Sequence, residues 1–229
     1  ATAGQDLKSD PPLEIFKMMF RSKIIMMIAC IEFCSGFLRQ AIMQMYGYYA
    51  KAISVSGVTD IGGKGSFVYQ NWGLMLCCAG ILGGVFAGTI SDHFFNSRRG
   101  PVAAILYVGM FVGSVAMFFL LGAPVLAWLM IFMSMCVIGV HGMLSGTASM
   151  DFGGSKNTGI AVGLIDGFVY AGTATQAGLY ALTLPEVGAV GADNPEAWWF
   201  WPTAMIPLTI IGLVLSFIIR NKKPKDNKV

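Results

Sequence analysis

Charge is what this sequence has least of. Asp, Glu, Lys and Arg together make up 12% of the 229 residues, whereas 55% are hydrophobic and the mean hydropathy is +0.68. About a quarter of the residues in a typical soluble domain are charged, and so few charges cannot cover a globular surface with polar groups. The composition therefore excludes an ordinary soluble enzyme, a nucleic-acid-binding protein and a disordered chain. It predicts an integral membrane protein.

Cysteine motifs are also missing. The five cysteines lie inside apolar runs, without a CxxC motif or a Cys/His cluster of metal-ligand spacing. We interpret them as small buried hydrophobic residues and predict no metal and no cofactor. The sequence contains no Asn-x-Ser/Thr sequon and no visible secretory signal. Because it begins with Ala1, we expect a processed, cleaved or partial chain.

Long apolar runs are what the sequence has instead. Each of six runs provides the roughly 20 residues that a helix needs to cross a bilayer, and they are continuous rather than alternating, which favours helices over barrel strands. We therefore predict an all-α bundle of six transmembrane helices within residues 14–220, between a polar linker (1–13) and a basic tail (221–229). The segment 14–23 is predicted to form a short amphipathic helix on the membrane surface. The predicted spans are 24–49, 72–90, 101–121, 125–150, 158–182 and 198–219.

The basic residues are distributed unevenly between the two sides of this predicted bundle. Twelve Lys and Arg residues fall in the two terminal segments and in the loops on the same side, against only Lys51 and Lys64 on the opposite side. The positive-inside rule then predicts that both termini are cytoplasmic. We expect the protein to lie in the inner membrane of a bacterium.

Three charged residues interrupt the predicted spans: Glu32, Arg39 and Asp166. Each costs about 2.5–3.5 kcal/mol on insertion scales, so we expect each to be functional or paired. Glu32 and Arg39 are seven residues apart and share a helix face with Tyr46, while Asp166 shares a face with Tyr170. The stripes indicate either ion pairs that only fix packing or the wall of a water-filled cavity; their length and mixed chemistry favour the cavity.

Two further features of the spans bear on function and packing. His141, in the fourth span, is either a proton relay, together with Asp166, or a neutral hydrogen-bonded packing residue. Glycines spaced by four residues predict close helix contacts in the second and fifth spans. These glycines are Gly80, Gly84 and Gly88, and Gly159, Gly163 and Gly167.

Three motifs carry a resemblance to a known family. The loop after the second span reads Gly88-x3-Asp92-x5-Arg98-Arg99-Gly100, which is similar to the loop motif of the major facilitator superfamily. Its core, Ser91-Asp92-x2-Phe95-x3-Arg99-Gly100, resembles the organophosphate:phosphate antiporter family, which includes glycerol-3-phosphate and hexose-phosphate transporters. Phe37-Leu38-Arg39 resembles that family's seventh helix. Asp151-x4-Lys156-x2-Gly159, followed by Gly163 and Tyr170-x-Gly172, resembles its tenth-to-eleventh loop and eleventh helix.

This resemblance implies that the chain is a C-terminal half, helices seven to twelve, in which Arg39 contacts the substrate phosphate. A guanidinium suits this role because it pairs two phosphate oxygens at once. Asp166 departs from the family pattern, which has a small residue there, and together with Glu32 it gives the site a net charge of −1. That leaves room for proton coupling or a zwitterionic solute. The loop residues, Asp92, Arg98, Arg99 and Lys156, either form a gate or only enforce topology.

We therefore expect the C-terminal half of a secondary active transporter that moves a small anionic or phosphorylated solute by alternating access. Its partner would be an N-terminal six-helix half or another membrane subunit. The alternative is a transporter-like receptor, or an accessory or structural subunit of a larger membrane complex. An enzyme is not expected, because the sequence offers no nucleophile–base set. The candidate substrate-binding residues are Arg39, Glu32, Tyr46, Asp166 and Tyr170.

Overall fold

The computed structural model describes residues 12–54, 64–148 and 158–221, and within these ranges the chain is helical, with no β-strand. The helices are α1 (Pro12–Arg21), α2 (Lys23–Met43), α3 (Met45–Ile53), α4 (Phe67–Gln70), α5 (Trp72–Phe94), α6 (Arg99–Leu120), α7 (Leu126–His141), α8 (Thr158–Thr183) and α9 (Phe200–Ile219). A π-helical segment, Gly142–Ala148, continues α7, and a 3₁₀ turn, Pro195–Trp198, precedes α9. The predicted all-α architecture is confirmed.

Five helical runs are long and apolar enough to cross a membrane: Lys23–Ile53, Trp72–Phe94, Arg99–Leu120, Leu126–Ser145 and Pro195–Ile219. The helix α8 is not among them, although its 26 residues make it the longest helix in the described ranges. Asp166, Gln176 and several threonines and glycines make α8 more polar than the other runs. The membrane-protein class is thus supported, whereas the predicted count of six crossings is not confirmed.

The predicted spans and the helices agree in position and differ at their ends. The first span continues past residue 49, because α3 follows α2 after the single residue Gln44 and ends at Ile53. The helix α1 begins at Pro12, two residues before the predicted start at residue 14; proline is favoured in the first turn, where its missing N–H is not needed. Ser22 separates α1 from α2 and accepts a hydrogen bond from the Ile25 amide at 3.5 Å. Residues 1–11 and the tail beyond residue 221 lie outside the described ranges.

The chain direction of the central helix α2 defines the two ends of the bundle. Ile25, near the start of α2, packs in one cluster with Leu164, near the start of α8, so these two helices run parallel. Near the other end of α2, the Trp201 indole donates a hydrogen bond to the Ala41 carbonyl at 2.6 Å. Trp201 lies at the start of α9, so α9 runs antiparallel to α2. The start of α2 and the end of α9 therefore lie at the same end of the bundle.

The start of α6 lies at that end as well, because Gly100 is packed against the backbone of Arg220. We call it the basic end; it contains Lys23, Arg98, Arg99 and Arg220. The other end, which we call the aromatic end, is closed by a cluster of buried rings. Tyr49 contacts Trp198 and Trp201 there, with ring centroids 5.5 Å apart in both pairs.

Within the described chain, the close helix crossings do not lie at the predicted glycine seams; a contact of these seams with another bundle stays a prediction. A Cβ atom would meet nothing within 4 Å at five of the six predicted positions, the exception being a loose contact at Gly80. The crossings lie elsewhere: Gly36 and Gly172 are pressed against the backbones of α8 and α2, and Gly83 is pressed against α7. Spacing by four identifies a face of small residues, but not which partner that face meets.

The cysteines divide into two groups, which corrects the interpretation that all five are buried. Cys34 and Cys136 are buried, whereas Cys30, Cys77 and Cys78 are exposed. The physical reason is that apolar residues in a membrane protein face lipid as well as the protein interior. Position inside an apolar run therefore does not imply burial.

Candidate functional site

A carboxylate and an imidazole meet in the interior of the bundle. The Glu32 side chain on α2 is fully buried, and its Oε2 lies 2.9 Å from Nδ1 of His141 at the end of α7. The other oxygen, Oε1, is buried and has no hydrogen-bond partner among the described residues. The pair thus joins α2 to α7 through a side-chain contact in the interior of the bundle.

The second acid within a predicted span, Asp166, is bound by a residue that lies one helical turn beyond His141. The Ser145 hydroxyl, in the π-helical segment, donates a hydrogen bond to Oδ1 of Asp166 on α8. His141 and Ser145 are four residues apart and lie on the same side of their helical run. This one face thus binds Glu32 from α2 and Asp166 from α8, and Asp166 is near enough to act electrostatically on Glu32.

The intramembrane arginine lies beside these acids but is not bonded to them. Arg39 is half-buried on α2, two turns beyond Glu32, and close enough to act electrostatically on it. Within the described ranges, the Arg39 guanidinium makes no hydrogen bond and no ion pair. Arg39, Glu32, His141, Ser145 and Asp166 are called the polar cluster below. In this cluster, Glu32 and Asp166 each accept a hydrogen bond from or share one with a protein side chain. The guanidinium of Arg39 does not, so it can bind another group.

Two predicted members of the site lie elsewhere. Tyr46 is buried at the aromatic end, with its ring 4.6 Å from that of Trp72 and its hydroxyl 3.5 Å from Ser66 Oγ. Tyr170 is on α8, one turn beyond Asp166, but its side chain is 67% exposed on the outer face of that helix. The structure thus places Tyr46 apart from the charged residues, whereas a polar surface shared by Tyr170 and Asp166 stays a prediction. Helical phase alone could not reveal that Tyr46 lies beyond the break at Gln44.

Sequence reasoning missed Ser145 as a site residue. The only signal for it was its spacing of four from His141, which puts a hydroxyl on the histidine face.

An ion pair closes the loop between α5 and α6. Arg99 Nη1 lies 3.4 Å from Oδ1 of Asp92 and donates a hydrogen bond to Ser91 Oγ at 3.0 Å. Ser97 donates to the same carboxylate at 2.9 Å. The Arg98 carbonyl accepts a hydrogen bond from the Ser91 hydroxyl at 3.4 Å, whereas the buried Nε of the Arg98 side chain has no partner in the described ranges. The contact between Asp92 and Arg99 is present, but its role as a gate stays a prediction; Lys156 lies outside the described residues.

A pocket opens at the aromatic end, between α3 and α8. Its volume is about 410 Å³, and its lining includes Gln44, Tyr48, Gln176 and Glu186. The Gln176 side chain is 1% exposed, and its buried Oε1 has no hydrogen-bond partner among the residues described. Gln176 lies ten residues beyond Asp166 on α8. Polar groups thus occur at two levels of this helix, beside the polar cluster and at the aromatic end.

Comparison with family models, with curated proteins and with solved structures finds no match for this chain. In the part of the chain that the structure describes, no three His, Cys, Asp or Glu side chains are grouped in a way that could hold a metal ion. What the polar cluster does must therefore be argued from its own geometry.

Proposed function

We propose that this chain is half of a secondary active transporter that moves a small anionic solute, with Arg39 as its main contact. The observation that carries this proposal is a half-buried guanidinium, in a helix able to span a membrane, without a hydrogen bond or ion pair in the described ranges. An intramembrane charge needs compensation from protein, water or ligand. An anion bound in the guanidinium fork provides it with two parallel hydrogen bonds. The three motifs that resemble organophosphate:phosphate antiporters support the same solute class.

The neighbouring acids would set the resting state of this site. Glu32 lies near enough to the guanidinium of Arg39 to interact with it electrostatically, although the two form no ion pair. An incoming anion would compete with Glu32 for Arg39, and binding would then favour a different arrangement of the helices. A zwitterionic solute fits as well, because its cation could be met by Asp166 while its anion binds Arg39.

The exposed helix faces support a second bundle as the partner. Only four of the 23 residues of α5 are buried: Ala79, Gly83, Ala87 and Ser91. The outer face of α8 is rich in small residues, with Gly159, Gly163 and Gly167 all open to close approach. Small residues let the backbones of transmembrane helices come together. Alternating access requires such a second half, with the solute between the two halves.

The test replaces Arg39 by lysine in the full-length protein, reconstituted in liposomes. Lysine keeps the positive charge but loses the planar fork, so Arg39→Lys should lower uptake of a phosphorylated solute at least tenfold. The matched control is Arg21→Lys on the exposed surface of α1, which should transport normally. Both variants are first checked for unchanged melting temperature. Transport by Arg39→Lys at the unmodified rate and affinity would refute the site. Solute binding by the unmodified protein without uptake would instead favour a receptor or accessory subunit.

A further inference from the structure

A second binding site is suggested by an apolar groove on the outside of the bundle, at its basic end. The groove lies between α6 and α9 and has a volume of about 620 Å³. Its walls include Ile105 and Val108 on α6 and Val214 and Phe217 on α9, all about half exposed. In a membrane, such a lateral groove faces the hydrocarbon of one leaflet.

Positive charge is concentrated at the mouth of this groove. Arg220 forms part of the lining, and its guanidinium stacks on the Phe217 ring, 3.6 Å from the centroid. Arg98 is nearby, because Gly100, two residues later, is packed against the Arg220 backbone. Phe95, another lining residue, accepts a hydrogen bond from the Arg98 amide at 3.0 Å. The side chain of Arg220 and the backbone of Arg98 therefore lie at the basic end of the apolar groove.

The carboxylate of Asp92, near the end of α5, does not neutralise these arginines. Asp92 is bonded to Arg99 and Ser97. Neither Arg220 nor the side chain of Arg98 makes an ion pair within the described ranges, and the Nε atom of Arg98 is buried without a partner. Such groups gain most from an anion with several acceptor oxygens, above all a phosphate, which a guanidinium binds with two parallel hydrogen bonds.

We propose that this groove binds an anionic phospholipid, with an acyl chain between α6 and α9 and the headgroup phosphate held by Arg220 and Arg98. The apolar groove matches the acyl chain of such a lipid, and the arginines at the end of the groove match its headgroup phosphate. Basic pockets next to transmembrane helices favour anionic headgroups for the same reason. The site lies on the outer surface of α6 and α9, apart from the polar cluster, so it does not depend on the proposed transport function.

The test measures lipid retention by native mass spectrometry of the purified protein in an uncharged detergent. Phosphatidylglycerol and phosphatidylcholine with identical acyl chains are titrated separately. The unmodified protein should bind phosphatidylglycerol at least tenfold more tightly. The double variant Arg98→Gln/Arg220→Gln should lose this preference and bind both lipids alike, whereas Lys23→Gln, which removes an exposed charge at the same end, should keep it.

A second pair of variants tests the groove itself. Val108→Trp adds bulk inside the groove and should weaken phosphatidylglycerol binding about tenfold, although both arginines remain. Val112→Trp makes the same change one turn further along α6, outside the groove, where the residue is 58% exposed, and should have no effect.

Three results would overturn the proposal. The first is equal retention of both lipids by the unmodified protein, and the second is equal binding by the two tryptophan variants. The third is displacement of phosphatidylglycerol by inorganic phosphate alone, which would assign the arginines to a soluble anion. The first and third use only the unmodified protein, so the proposal stays testable even if the arginine double variant does not fold.

Discussion

At the scale of single residues, the contact between Glu32 and His141 matters because it gives a fully buried carboxylate its hydrogen-bond partner. A fully buried carboxylate pays a desolvation cost that its partner must offset. His141 is the only hydrogen-bond partner recorded for Glu32 in the described ranges, since Oε1 has none. Hydrogen bonding of the Glu32 carboxylate thus depends on a single histidine.

Removing that histidine should destabilise the protein strongly. With Glu32 ionised in the pair, we expect His141→Ala to lower the free energy of unfolding by about 3–5 kcal/mol, because it leaves a buried charge uncompensated. The double variant Glu32→Gln/His141→Ala should lose less than His141→Ala alone, since the neutral amide is cheaper to bury. Reversible unfolding in mixed micelles measures both. His93→Ala, at the exposed second histidine of the chain, is the control and should change little. A double variant no more stable than His141→Ala would mean that Glu32 is not ionised in the pair.

At the scale of helices, the bundle is held by crossings in which one glycine meets a neighbouring backbone. The parallel pair α2 and α8 crosses at Gly36 and Gly172, where a Cβ would collide with the carbonyl groups of Val169 and Phe33. Thr173 also donates a hydrogen bond to the Gly36 carbonyl at 3.3 Å. This crossing places Asp166 and Glu32 on neighbouring helices at a similar depth.

Substitution at this crossing should separate true packing glycines from exposed ones. Gly172→Ala forces the backbones of α2 and α8 apart and should cost about 1–3 kcal/mol of stability. Gly163→Ala should be neutral or slightly stabilising, because the position is open and alanine favours helix. Unfolding free energies of the two variants provide the comparison. The opposite order would restore the seam at Gly159, Gly163 and Gly167 as the contact face of α8.

The crossing of α2 and α8 illustrates which features of the fold can be predicted from the sequence and which cannot. Hydropathy depends on composition along the chain, so the positions of the long helices and of Glu32, Arg39 and Asp166 within them were predictable. Pairing depends on rotation and partner choice. Nothing in the sequence distinguishes a glycine that faces a helix from one that faces lipid, or a tyrosine that faces a cavity from one that packs against Trp72. His141 and Glu32 were both candidates, but the contact between them was not predicted.

At the scale of the whole molecule, α8 decides the topology. The start of α2 and the end of α9 lie at the basic end of the bundle, and this requires an even number of crossings between them. Five helical runs are apolar enough to cross unaided. The helix α8 runs parallel to α2 and packs closely along it, so its polar residues are partly shielded by the bundle. We therefore expect α8 to cross as well, which makes six.

Labelling from one side of the membrane tests this expectation. Single cysteines are introduced at Lys23, Lys51 and Asn221 in a protein whose native cysteines are replaced, and intact cells are treated with a membrane-impermeant thiol reagent. If α8 crosses, Lys23→Cys and Asn221→Cys should both be protected and Lys51→Cys should react, because basic residues concentrate on the cytoplasmic side. Permeabilised cells, in which all three should react, control for local accessibility. If α8 lies along the surface, the two ends fall on opposite sides, and exactly one of the variants at Lys23 and Asn221 would react in intact cells. The depth of Asp166 in the membrane, and with it the polar cluster as a transmembrane site, depends on this result.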